Sequence, residues 1–426
     1  MQQQKISIPT LIALLATTTT AFTPIVSLAL SAPGALAQTA ANPKSEADRL
    51  YGQANQQYIT SQFQAALQSY RQALTVYQEI GDRFGQASSL GAIGTTYWYL
   101  GQFQRSVEFC ERSLVIARDI KARQPETYAL GCLGWSYASL NRYPQAIEFY
   151  QQQLTIAQIL RNRFTEANAL RGLGQVYNSQ GEYQKALERH QQSLEIVRTL
   201  GNRQEEAKLL GEIGWSYQSL RQYQPAIDFY QQSLIIQRVV GDRFHEGITL
   251  TRIGTLLAAQ NQPELAIIFY KQSVKVREDI RQGLRELPQP QQEAFVQTVA
   301  YTYNNLAVLL GRQGRDLEAQ RVRDLLKVQA SAVPREALQQ LPPERQIWKG
   351  YEVILNKAIE LHKELTQLES TLPPSRRTPT QRQRIVELRR NEQQISQQCF
   401  DFLKSPEVIA LVKELKQVPD SFRITL

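Results

Sequence analysis

The chain has 426 residues, 42% hydrophobic and 20% charged, a balance that excludes wholesale disorder at a length too great for one compact core. Its formal net charge is +9, but the excess is spread thinly: +2 over residues 1–44, +4 over 45–329 and +3 over 330–426. A nucleic-acid footprint concentrates positive charge on one face or run, so no nucleic-acid partner is expected.

The N-terminus reads as an address. Lys5 precedes a long apolar, Thr-rich run, and Ala35-Leu36-Ala37 has the A-x-A form of a signal-peptidase site. Residues 1–37 are expected to be a signal peptide cleaved after Ala37, with 38–44 a linker and the rest exported to the periplasm or beyond the cell. The run is long enough to span a bilayer, so membrane contact is expected only if it stays uncleaved. Three cysteines do not make a disulfide framework. Cys110 and Cys132 fall on neighbouring helices, where a bridge is conceivable; two buried free thiols are the expectation. Cys399 sits at an apolar helical position.

From Ser45 the chain lines up in rows of forty without a gap. The rows end GDRF (81–84), KARQ (121–124), RNRF (161–164), GNRQ (201–204) and GDRF (241–244), which puts Arg83, Arg123, Arg163, Arg203 and Arg243 in one column. A period of this length means a solenoid. Within the rows, Leu90, Ile93, Gly94 and Tyr97 are spaced as one stripe of an amphipathic helix, and Leu130, Leu133, Gly134 and Tyr137 repeat it. A turn follows, then a second helix with Ala66, Ser106, Ala146, Ala186, Ala226 and Ala266 in register. Small residues in fixed columns let the two helices of a hairpin approach closely. Gly81, Gly201 and Gly241 stand where a left-handed cap favours glycine. The Arg column reads as a repeated surface contact to the preceding helix, and Glu108, Glu148, Glu188 and Asp228 as a solvated stripe.

These columns, Leu-(x2)-Leu/Ile-Gly-(x2)-Tyr followed by Ala and Tyr, resemble the tetratricopeptide repeat, with the last helix lengthened to give forty residues. The period and the GDR turn are similar to the long-repeat group of spindle-orientation adaptors and kinesin light chains; HEAT and armadillo arrays lack the Gly–Tyr–Ala signature. Five rows match strongly (45–244), a sixth well (245–284) and a seventh weakly (292–329, with Leu306, Ala307 and Ala319), after a Pro-punctuated insertion at 285–292. The resemblance implies an all-α fold: a right-handed superhelical solenoid over 45–329 whose first helices line a concave groove for an extended peptide or a helix. Mapped onto this sequence, the groove positions include Asp48, Tyr51, Asn55, Tyr58, Ser88 and Thr95. The partner-binding candidates are Trp98, Tyr128, Trp135, Asn168, Arg171, Gln175, Asn178, Lys208 and Trp215. The Lys/Asn clamp that chaperone-binding relatives use for a C-terminal carboxylate is not matched, because Tyr51 stands where a basic residue is needed. Trp135 and Trp215 have two readings, as groove anchors or as packing against the adjacent repeat.

After Ala330 the period stops, and 330–426 reads as a helical C-terminal region. Tyr351, Ile354, Ala358, Leu361, Leu365 and Leu368 alternate in threes and fours, as do Ile385, Leu388, Glu392, Ile395, Cys399 and Phe402. Joined across TLPPSRRTPT, they predict an antiparallel coiled-coil hairpin. Ser405-Pro406 then caps one more helix. Arg376, Arg377, Arg382, Arg384, Arg389 and Arg390 cluster at the hairpin tip, most simply as a solvated tip. The order of signal, array, hairpin and SPEVIALVKEL resembles the bacterial TPR–CHAT proteins, in which a caspase-like CHAT domain carries the catalytic His and Cys. That domain has no counterpart up to Leu426, so no residue here inherits a catalytic role. Phosphate-loop, H-E-x-x-H, C-x-x-C and G-x-S-x-G motifs are all lacking, and His190, His245 and His362 are scattered. No catalytic site, metal or cofactor is expected. A protein or peptide partner is.

Overall fold

A computed structural model describes residues 42–285, 289–327, 340–371 and 376–417. The expected signal peptide, most of the linker and most of the 330–341 connector lie outside these residues. The described residues form helices and turns, without a strand. Six hairpins of two helices follow one another: α1 (Pro43–Ile59) and α2 (Phe63–Glu79), α3 (Arg83–Tyr99) and α4 (Phe103–Asp119), α5 (Arg123–Ser139) and α6 (Tyr143–Ile159), α7 (Arg163–Ser179) and α8 (Tyr183–Leu200), α9 (Arg203–Ser219) and α10 (Tyr223–Val240), α11 (Arg243–Ala259) and α12 (Pro263–Gly283). A seventh pairs a long α13 (Gln289–Arg312) with a short α14 (Asp316–Asp324); α15 (Pro342–Thr371), α16 (Pro379–Leu403) and α17 (Pro406–Gln417) complete the chain. Two compact units divide near the end of α7, at residues 176 and 177.

The row length comes from the turns. A left-handed residue stands every twenty positions: Ser61, Gly81, Gly101, Lys121, Asn141, Arg161, Gly181, Gly201, Arg221, Gly241 and Asn261, with φ between 51° and 79°. The residue after each donates its N–H to a carbonyl five positions back, at 2.8–3.3 Å. This is the Schellman bond that closes a helix C-terminus, and it needs the left-handed step before it. Three of these positions were expected from glycine, and Gly101 and Gly181 join them; the other six use Ser, Lys, Asn or Arg, which bear the steric cost themselves.

The small-residue columns behave as expected. Ala66, Ser106, Ala146, Ala186, Ala226 and Ala266 are all fully buried. A Cβ on Gly134 would lie 2.6 Å from the Tyr150 ring, and one on Gly214 2.7 Å from the Tyr230 ring. In α4 a sulfur stands where those tyrosines stand, and the expectation of free thiols is corrected here. Cys110 and Cys132 are joined as a disulfide with Cα atoms 6.2 Å apart, tying α4 to α5. Without a ring in that column, the sulfur reaches the next repeat.

A second correction concerns the Arg column. Each of these arginines opens a helix, and four have a buried glutamate three residues on: Glu126, Glu166, Glu206 and Glu246. Arg123 pairs with Glu126 at 2.8 Å and Arg163 with Glu166 at 2.7 Å. The preceding helix supplies a second donor, Arg118 to Glu126 at 3.2 Å and Gln158 to Glu166 at 3.5 Å. In the second unit, Arg198 and Arg203 hold Glu206, while Arg238 and Arg243 hold Glu246. The contact between repeats is therefore made through an inward carboxylate rather than on the surface.

Within residues 177–426, α15 and α16 form the expected antiparallel pair. Leu365, Ile385 and Leu388 make its core with Leu361 and Leu368; a Cβ on Gly350 would overlap the Phe402 ring. The seam also pairs His362 with Glu392. Tyr351 leaves the seam: it packs with Trp348 against Phe269 of α12, ring centroids 5.1 and 5.7 Å apart. Below them is a buried ionic cluster. Lys271 of α12 reaches Glu318 at 2.6 Å and Glu344 at 2.7 Å, and Arg315 joins Glu344 at 3.0 Å. The hairpin thus rests on the second helices α10 and α12, and touches the first helix α9 at its start, where Arg203 reaches Glu369.

Candidate functional site

Within residues 42–176, aromatic side chains gather at the first helices. Tyr58 at the end of α1 meets Tyr99 of α3 edge-on at 5.4 Å, and Tyr99 stacks on Phe63 at 5.2 Å. Trp98 stands perpendicular to Tyr99 at 5.1 Å and tilted against Trp135 of α5 at 6.0 Å. Its indole N–H donates to Ser139 Oγ at 2.8 Å. Tyr51 packs on Tyr70, centroids 5.4 Å apart. Tyr51, Tyr58, Trp98, Tyr99 and Trp135 are all half-buried.

Tyr128 completes this face. It is 43% exposed, and its ring lies over Gly91, where a Cβ would come within 2.9 Å of it. Burial of the hydroxyl pushes its pKa up to about 12, against the opposing effect of a hydrogen bond to Thr95. Burial likewise drives the Tyr58 hydroxyl well above the ordinary phenol range, with the neighbouring Tyr99 and Tyr128 adding to it. The hydroxyls of Tyr58 and Tyr128 therefore stay protonated, as neutral hydrogen-bonding groups on a wall of rings. The tandem helices repeat because the solenoid reuses one packing unit, and in these rows that unit carries contacting rings on successive first helices.

The other candidates separate from this cluster. Asn168 is half-buried and Gln175 exposed on α7, and Arg171 lies near Tyr150, whose hydroxyl burial drives well above the ordinary phenol range against the weaker pull of that charge. Asn178 is only 2% exposed. Its side chain accepts from Ser216 Oγ at 2.9 Å and faces His190 at 3.3 Å, so it belongs to the interior of the second unit rather than to a partner surface. Lys208 is paired with Glu205 at 2.8 Å. Trp215 meets Tyr183 edge-on at 6.4 Å and stays half-buried. Arg252, outside the expected set, donates to the Gly211 carbonyl at 2.8 Å. Of the broader groove positions, Thr95 is buried, while Asp48 and Asn55 accept the hydroxyls of Tyr77 and Tyr70, each at 2.6 Å. Tyr99 escaped sequence reading because Trp98 beside it occupied the groove stripe; the adjacent WY pair was the available signal. Among the described residues, no group of three or more His, Cys, Asp or Glu side chains is arranged to hold a metal ion.

Helical hairpins in tandem, with small residues between helices and rings on the first-helix face, define an all-α repeat solenoid. The tetratricopeptide repeat profile matches residues 46–119, 87–159, 124–199, 165–238 and 205–279, together more than half the chain. The chain belongs to the tetratricopeptide repeat family. No curated protein sequence matches it. Among solved structures it is similar to apo RapI, with 16% identity and a TM-score of 0.50, over 66% of this chain and 99% of RapI. It is similar at the same identity and TM-score to the STAND-class signal-transduction ATPase PH0952 of Pyrococcus horikoshii, a protein with a tetratricopeptide repeat sensor. That match covers 66% of this chain and 41% of the ATPase. At this identity the likeness is one of fold.

Proposed function

We propose that the protein is a non-enzymatic protein-interaction scaffold that holds an extended or helical peptide on the aromatic face of its first repeats. The observation that carries this reading is the convergence of Tyr58, Trp98, Tyr99, Tyr128 and Trp135, partly exposed, on successive first helices. Rings of this kind are the usual anchors of an interface, and protonated hydroxyls among them suit a peptide backbone. The occupant is an uncharged, apolar-rich segment, because this face offers rings and hydroxyls rather than charge. The second unit's first helices, where Lys208, Glu205 and Arg252 are engaged with one another's neighbours, offer less.

The scaffold works outside the cytoplasm, in keeping with the leader-like N-terminus and the Cys110–Cys132 bond, which persists in an oxidising compartment. A second reading, as the recognition half of a system with a separate CHAT-type (caspase-like) subunit, is favoured by the order of array, α15–α16 hairpin and Ser405-capped α17. Co-purification with a CHAT-type chain encoded alongside tests that reading.

A displayed random-peptide library selected on the protein tests the scaffold reading. Enriched peptides are expected to bind Trp135→Ala at least about tenfold more weakly, the ordinary scale for an interface anchor, with its melting temperature close to that of the parent. A large melting drop with affinity retained makes Trp135 a packing residue and sinks the proposal for this face.

A further inference from the structure

Within the second unit, a cleft of about 1090 Å³ lies between the C-terminal end of α8, α10 and the tip of the α15–α16 hairpin. Its lining includes an apolar set, Leu194, Phe229, Ile385 and Val386, and five guanidinium groups. Arg198 and Arg203 come from the repeat array, and Arg377, Arg382 and Arg389 from the hairpin. The arginines of the tip are therefore not simply spread into solvent: three of them face the array.

Three carboxylates oppose these five cations. Glu369 takes Arg203 and also Arg389, the latter at 2.7 Å; Glu206 sits behind Arg198 and Arg203; Glu195 lies on the lining. Among the described residues, five positive and three negative groups leave the cleft two charges positive. The guanidiniums are directed rather than loose. Arg203 is only 8% exposed, and Arg377 donates to the Glu369 carbonyl oxygen at 2.8 Å. Among the described residues, no carboxylate lies within ion-pair distance of the exposed Arg382. A volume of this order is that of a small-molecule site, which buries a ligand body on apolar walls and orients it with a few polar groups.

We infer that this cleft binds a small organic dianion, of the size of a sugar phosphate or mononucleotide. The guanidinium forks of Arg377 and Arg382 take the two charges, and the body rests on Phe229, Ile385 and Val386. A phosphate monoester and a dicarboxylate share this chemistry, since both present oxygens that match the planar fork of arginine. Bound there, the ligand touches both the repeats and the hairpin and holds them together.

Calorimetric titration of the full chain with adenosine monophosphate, glucose 6-phosphate and succinate, each beside a neutral counterpart (adenosine, glucose, succinamide), tests this. At least one dianion is expected to bind once per chain and at least tenfold more tightly than its neutral counterpart. The Arg377→Ala/Arg382→Ala pair is expected to lose at least tenfold in affinity while remaining folded, and Arg382→Ala alone to weaken binding with the ligand-free melting temperature unchanged. Binding by the phosphate esters alone assigns a phosphate ligand, and binding by succinate alone a dicarboxylate. Trp135→Ala, in the other unit, is expected to leave this titration as it is. If no dianion saturates, if neutral counterparts bind as well, or if the Arg pair can be removed without effect, the inference is overturned.

Discussion

At the scale of single residues, the turns concentrate the chain's local strain. Lys121, Arg161 and Arg221 hold φ at 54°, 51° and 59°, where their Cβ atoms crowd the backbone. The left-handed conformation costs an L-residue about 1–2 kcal/mol, and glycine returns part of that through its larger unfolded-state entropy. Arg161→Gly and Lys121→Gly are each expected to stabilise the protein by about 0.5–1 kcal/mol, read from the midpoint of urea unfolding. A loss of stability in both shows that their side chains do more than occupy the turn. The positions themselves were legible only where glycine marked them. Ser61, Asn141 and Arg221 carry no such mark, and only the twenty-residue spacing places them. The buried glutamates were harder to see. Glu126 or Glu206 recurs every forty residues, as the exposed Glu108 and Glu148 do, and a period alone does not say which way a carboxylate points. Asn178 was misread for the same reason: its column suited the groove, but Ser216 and His190 draw it inward.

At the scale of helices, the disulfide fastens one repeat to the next at a column where other rows place a tyrosine ring or, in the fourth, His190. It closes a loop of 22 residues in sequence. Removing such a crosslink costs about 3 kcal/mol in the chain-entropy account. The protein unfolded without reductant is expected to show one titratable thiol, that of Cys399, and Cys132→Ala to unfold at lower temperature. Three titratable thiols at once dispose of the bond. The α15–α16 hairpin was legible as two heptad stripes, because a seam repeats along the helix. Its seat on α10 and α12 was not. That contact depends on single residues far apart in sequence, such as Phe269 with Trp348 and Lys271 with Glu344, which form no pattern. The arginine cleft was invisible for the same reason, although its tip arginines stood out as a cluster.

At the scale of the whole molecule, stability in a solenoid is nearly a sum of neighbour contacts, and here many of these contacts include a carboxylate. Burial works to raise the pKa of Glu206, but Arg203 and Arg198 outweigh it and hold the group below its ordinary range. Glu344 is buried too and is lowered by Lys271 and Arg315. A carboxylate lowered by folding contributes its full stability above the unfolded pKa, about 4.3 for Glu, and loses it as pH falls through the folded value. Asp228 and Glu278, raised by burial, act in the opposite direction. Urea unfolding is therefore expected to show stability falling below about pH 4. Glu206→Gln is expected to be less stable at pH 7 and to flatten that fall; a slope unchanged from the parent removes Glu206 from the acid response.

The twenty-residue beat of left-handed turns bears on how such a chain grows and shrinks. Because the backbone passes through the same conformation at 161 and at 201, a gene that loses the codons between them rejoins in frame and in shape. The same holds for a gain, and LGWSY at 133 with IGWSY at 213 has the look of such copying. Recombination at these points would change the length of the protein by whole hairpins, each junction keeping the turn it had before.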